Sequence, residues 1–204
     1  MKIGRQNGFT LMELMITLAL AGVILALAVP NMGVFIKNNR LTSAANDLLH
    51  SLQVARAEAI KRQGGNVVVC GTADPSVAAA SLSCDNTSLK GWFVFVDTDG
   101  DWVHDAGEEV IETHDLVDST VTVKADGARI VSYAATGFAN AEDTYGVSPM
   151  ATVVFCDARG NTAVGTDSTA RAMFIATTGR AYISKLYVDV SKALNASHLN
   201  GTCP

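Results

Sequence analysis

Gly8-Phe9-Thr10-Leu11-Met12-Glu13 opens a stretch that runs to Val29, and its reading decides the fold. From Phe9 to Val29 only Thr10, Glu13 and Thr17 carry polar side chains. As a helix these 21 residues would be about 30 Å long, the thickness of a bilayer core. Lys2 and Arg5 precede the run, and a positive flank predicts that the N-terminus stays cytoplasmic while the rest is exported. A cleaved secretory signal could use the small-x-small site at Ala26-Leu27-Ala28. Against that, the run is longer than a usual signal core, it contains an acid, and the helical pattern continues past the cut. A passive anchor explains the length and the flank. It leaves Glu13 without a role, although a carboxylate near a bilayer centre costs about 2.5–3.5 kcal/mol on insertion scales.

Beyond Pro30, which should kink or locally melt the helix, the pattern turns amphipathic. Leu41, Ala45, Leu48, Leu52, Ala55 and Ala59 recur at helical spacing, with Arg40, Asp47, Gln53, Arg56, Lys61 and Arg62 on other faces. A dimeric coiled coil could use this stripe. Packing against the chain's own downstream strands is the preferred reading, because those strands need a cover. Gly64-Gly65 supplies the stop. From Asn66 the chain becomes short β runs between turns, around Val67–Val69, Trp92–Val96, Val110–Ile111, Val121–Val123, Ile130–Val131, Thr152–Phe155, Met173–Ile175 and Ala181–Ile183. The expected fold is therefore α+β, a long N-terminal helix on a mainly antiparallel head. Its segments are a positively charged flank over 1–8, a transmembrane half over 9–29, an amphipathic half over 30–63 and a head over 64–204.

The chain has 204 residues and a net charge of −5, and removal of Lys2 and Arg5 with a leader makes it more negative. Global charge thus argues against a phosphate-rich partner. Cys70, Cys84, Cys156 and Cys203 form no C-x-x-C pair and no zinc-finger spacing, so two disulfides in an oxidising compartment are expected. Three pairings are open. Cys70 with Cys84 and Cys156 with Cys203 are preferred, because each closes a segment that lacks strong strands.

The hexapeptide Gly8 to Glu13 resembles the prepilin peptidase motif of type IV pilins and type II secretion pseudopilins. The resemblance implies that 1–8 is a prepilin leader peptide, with cleavage between Gly8 and Phe9, N-methylation of Phe9, and a role for Glu13 in meeting the new amine of a neighbouring subunit. A proline at position 30 is similar to pilins too. Asn38–Leu41, Ala55–Arg62, Gly91–Asp97, Asp105–Val110 and Thr178-Gly179-Arg180 resemble the GspH/FimT group of minor pilins and pseudopilins. That group implies a structural subunit, not an enzyme. It would be a minor pilin in assembly or initiation of a type IV pilus, or a minor pseudopilin of type II secretion, or a DNA-binding minor pilin. Its implied partners are other pilins and a prepilin peptidase, and its place is the inner membrane with a periplasmic head, then the fibre.

Two further constellations stand out. Asp97, Asp99, Asp101, Asp105 and Glu108 have the spacing of a calcium loop, although Trp102 occupies the position where such loops place glycine. The plainer reading is an acidic hairpin tip facing water. The Gly179-Arg180-Ala181-Tyr182 turn keeps one arginine of the basic turn in DNA-binding relatives, with Lys185 and Arg171 as helpers. One arginine in an acidic chain more often ends a solvated strand. His50, His104, His114 and His198 are scattered, and no serine-elbow, phosphate-loop or H-E-x-x-H pattern suggests catalysis or a cofactor other than calcium.

Overall fold

The computed structural model describes residues 8–85, 89–116, 118–125, 129–139, 152–195 and 203. Lys2, Arg5 and His198 lie outside them. In chain order the elements are helix α1 (Leu11–Arg62), strands β1 (Asn66–Thr72), β2 (Gly91–Asp97), β3 (Val110–Asp115), β4 (Thr122–Ala125), β5 (Arg129–Tyr133), β6 (Thr152–Cys156), β7 (Ala163–Val164), β8 (Asp167–Ile175) and β9 (Ala181–Leu186), and helix α2 (Tyr187–Leu194). All eight expected β runs fall in or against these strands.

The helical assignment of α1 passes through Pro30 without interruption, so the expected local melting does not occur. Proline removes one N–H from the ladder, and the remaining bonds of a 52-residue helix carry it across. The helix ends where Gln63 and Gly65 turn to φ of 53° and 80°, the left-handed geometry that stops a helix. The chain divides into two units at a different place from the proline, Met1–Asn39 and Arg40–Pro204. In the second unit Leu41 is the first fully buried residue of α1.

Within that second unit the strands form two antiparallel sheets. The first has the order β3-β2-β1-β5, and in the second β4, β6 and β8 follow one another, with β7 and β9 both pairing to β8. Period-two alternation explains why the sequence shows continuous apolar runs instead of polar/apolar alternation: both faces of the central strands are buried. Val67 and Val69 of β1, Trp92 and Val94 of β2, Val153 and Phe155 of β6, and Met173 and Ile175 of β8 join one cluster with Leu41, Ala45, Leu48, Leu52, Ala55 and Ala59. The amphipathic stripe is thus spent on the chain's own sheets. Each of the three leucines there contributes about 1.5–3 kcal/mol by leaving water. Ser51 on the same stripe accepts a 2.8 Å hydrogen bond from the buried Trp92 Nε1.

The alternate residues face the other way and have covers of their own. Behind the first sheet Val68, Cys70, Phe93 and Phe95 pack with Leu82 from the β1–β2 connection, which the Cys70–Cys84 disulfide holds in place. His104 sets its ring edge-on to Phe93 and Phe95, and its Nδ1 lies 3.0 Å from the Leu82 carbonyl. Behind the second sheet Val154, Cys156, Ala170 and Ala172 pack with Val190 and Ala193 of α2 and with Cys203, which is bonded to Cys156. The stapled β1–β2 connection has little core beyond Leu82. Replacing Cys70 and Cys84 together by serine is expected to lower unfolding free energy by about 3 kcal/mol, read as a lower urea midpoint.

The two sheets meet at their turns beneath α1. Arg56 donates from Nε to the Gly137 carbonyl at 2.9 Å and from a terminal nitrogen to the Thr178 carbonyl at 3.0 Å. Gly137 and Gly179 both have φ near +77°, and a Cβ on Gly179 would come within 2.2 Å of the Gly137 carbonyl. The Ala139 N–H to Thr177 carbonyl bond, at 3.1 Å, completes the junction.

Candidate functional site: an exposed apolar helix with one carboxylate

The N-terminal half of α1 has a span from Leu11 to Val29, 19 residues of mean hydropathy 2.4, long and apolar enough to cross a membrane and with none of it buried. Large apolar side chains stay exposed well past the proline, through Met32, Val34, Phe35 and Ile36. Every face of this segment therefore requires either lipid or other helices, since water is the costly alternative. Its backbone asks for nothing, because a helix satisfies its own N–H and C=O groups.

The polar side chains in the run have separate duties. The Thr10 hydroxyl accepts the Glu13 N–H at 3.2 Å, the N-cap half of an S/T-x-x-E box. Thr17 turns its hydroxyl inward to the Leu14 carbonyl at 2.9 Å. Glu13 stands in the first turn, where the positive end of the helix dipole favours a carboxylate. Among the described residues it has no ion-pair partner, and from Gly8 to Ile36 it is the single charged side chain. The capping role of Thr10 was legible in the sequence as a threonine three residues before a glutamate at a helix start, and it went unread.

The five acids of the β2–β3 connection come together in two groups, Asp97 with Asp99 and Glu108, and Asp99 with Asp101 and Asp105. Their oxygens also hold the loop itself. Asp97 accepts the N–H groups of Gly100 and Trp102, Asp99 that of Asp101, Asp101 that of Val103, and Glu108 those of Thr98 and Asp105. Trp102, in the place of the missing glycine, takes φ of 64°. Asp97 is fully buried, and burial pushes its carboxyl above the usual range against the lowering effect of its two N–H donors. The convergence belongs to the carboxylates alone and assigns no ion.

The basic residues near β9 do not converge as a strip. Arg180 is exposed on the β8–β9 turn, Lys185 pairs with Asp167 at 2.8 Å, and Arg171 donates to the carbonyls of Ser168 and Ala170. Tyr182 stacks on Phe174. Of the histidines, His104 is engaged behind the first sheet and His114 stacks on Trp92 with Asp47 3.6 Å away. Both read as packing groups. No local signal marks Arg56, whose partners are 81 and 122 residues away along the chain.

Two family descriptions match stretches of the chain. Residues 3–29 match the family described as the prokaryotic N-terminal methylation motif, and residues 44–179 match Type II transport protein GspH. The pilin-like protein PilA1 of Thermus thermophilus is 32% identical over 111 residues, covering 53% of this chain and 60% of that protein. Two crystal forms of the Pseudomonas aeruginosa type IV minor pilin FimU align over 74% and 71% of this chain and 92% of theirs. Their identities are 23% and 21%, and their TM-scores 0.49 and 0.46. With the larger part of its length matched and a methylation motif at its start, the chain belongs to the GspH family of pilin-like proteins.

Proposed function

We propose that the protein is a minor pilin, a structural subunit that helps assemble or initiate a type IV pilus. Prepilin peptidase removes the leader after Gly8, Phe9 becomes a methylated N-terminus, and the Leu11–Val29 helix rests in the inner membrane with the head in the periplasm. The helix then leaves lipid for the packed helices of a fibre. The observation that carries this reading is the pairing of a fully exposed apolar helix bearing one carboxylate with a head whose core is complete without it. The catalytic vocabulary of an enzyme has no part in that design.

The family description favours a second machine, the pseudopilus of type II secretion. Deleting the gene in its host and scoring both outputs separates the two. Loss of surface filaments with normal secretion of folded proteins is the expected result. Intact filaments with lost secretion would transfer the protein to the secretion machine, and neither defect would remove the filament reading.

A further inference from the structure

Helix α1 offers two candidate bilayer spans. The most apolar window is Leu11–Val29, which places Glu13 among lipid tails. A second stretch, Leu14–Ile36, carries no charged side chain, and every side chain described in it is exposed. Its polar side chains are Thr17, already bonded to the Leu14 carbonyl, and the uncharged amide of Asn31. An exposed charge bounds it on each side, Glu13 before and Lys37 after, and neither has an ion pair among the described residues. At 1.5 Å per residue these charges stand about 36 Å apart along the axis. That exceeds the roughly 30 Å of a hydrocarbon core and is less than the about 40–45 Å that includes both headgroup layers.

Charge and exposed area choose between the spans. With Leu11–Val29 in the core, one carboxylate enters hydrocarbon, and Met32, Val34, Phe35 and Ile36, each between 43% and 59% exposed, are left outside it. With Leu14–Ile36 in the core, those four side chains gain lipid and both charges reach headgroup depth. The offsetting losses are the Asn31 amide in hydrocarbon and Leu11 and Met12 at the interface. The 23 residues of Leu14–Ile36 are about 35 Å long and fit a core of about 30 Å at a tilt of about 30°, within the range of such helices.

We propose that α1 takes the Leu14–Ile36 register in the bilayer, with Lys37 among the lipid phosphates of the periplasmic leaflet and Glu13 in the cytoplasmic headgroup layer. This placement rests on the membrane step of the proposed function and adds the lipid groups that hold it. Glu13 is then hydrated while the subunit waits in the membrane, and it loses that water only on entering a fibre.

The isotope-labelled full chain in nanodiscs of phosphatidylethanolamine and phosphatidylglycerol reports the depth of each amide by paramagnetic line broadening. With a soluble gadolinium chelate, broadening at Val34, Phe35 and Ile36 is expected to be at least about threefold weaker than at Leu11, because the core shields them. A nitroxide on the lipid chain must broaden the same three amides, which separates burial in lipid from shielding by the head. In Glu13→Leu the helix slides, and chelate broadening at Leu11 and Met12 falls about twofold or more. In Lys37→Glu the acid is repelled by lipid phosphate, and chelate broadening at Ile36 rises about twofold. Stronger chelate broadening at Phe35 than at Leu11 would place the helix in the Leu11–Val29 register and overturn the proposal, as would an unchanged profile in both variants. Either result leaves the membrane step standing. Equal chelate broadening from Leu11 to Ile36 would mean that the helix does not insert, and the membrane step would fall together with the register.

Discussion

Glu13→Ala yields a protein that is exported and cleaved normally but is absent from sheared filaments. Glu13 lies alone on an apolar surface, with no charged neighbour from Gly8 to Ile36. Thr10 already caps the helix start, so the carboxylate is not needed to hold α1 in place. On the proposed function, cleavage before Phe9 would create a cationic amine, and an unpaired cation among packed apolar helices is costly to bury. A carboxylate from an adjoining subunit would neutralise it, which would tie entry into the proposed fibre to correct register. Glu13→Gln separates charge from size: it keeps the volume and hydrogen bonding, and the same loss is expected of it. Immunoblots of sheared and cell-bound fractions provide the measurement, and normal amounts of either variant in the sheared fraction would refute the pairing.

The second large effect is expected at the junction of the two sheets. Gly179→Ala places a methyl group 2.2 Å from the Gly137 carbonyl, a backbone atom that cannot rotate away. It also forces alanine to a φ near +76°, which costs about 1–2 kcal/mol before any clash is counted. Since Arg56 Nε is bonded to that same carbonyl, separating the turns breaks the bond as well. The sum is a loss of about 3 kcal/mol or more, placing the substitution in the tail of the usual distribution. Arg56→Ala takes away the clamp without adding a clash, and a smaller loss is expected from it. Urea unfolding of both variants gives the order, and a Gly179→Ala midpoint equal to that of the parent would show that the turns can part freely.

What could be read from the sequence follows from which forces act locally. The apolar anchor is a one-dimensional signal, and so is the stripe from Leu41 to Ala59, whose burial against the sheets followed the spacing. Strands that are buried on both faces announce themselves as runs of valine and phenylalanine. The short helix α2 escaped notice because eight residues provide only Val190 and Ala193 as buried positions, too few to establish a period. At Pro30 the expected melting is absent, since one lost hydrogen bond does not break a helix this long. The basic residues of α1 looked like a solvated face, yet Arg40 reaches Asp118, Arg56 reaches two turns and Arg62 reaches Glu109. Those partners are made by folding, and no pattern along the chain foretells them. Likewise, the acid spacing from Asp97 to Glu108 was visible, whereas the use of those acids as acceptors for their own loop was not.

The two disulfides differ in when the chain can make them. Synthesis from the N-terminal end onward presents Cys84 only 14 residues after Cys70, so the first bond can close while most of the head is still to be made. Cys156 must wait for 47 more residues, by which time every strand and α2 have already passed. Its union with Cys203 therefore comes second, once β6 and α2, which pack beside it, have both been made. A chain cut before Cys203 keeps Cys156 as a thiol, distinguishable from the disulfide-bonded chain by chemistry instead of by shape.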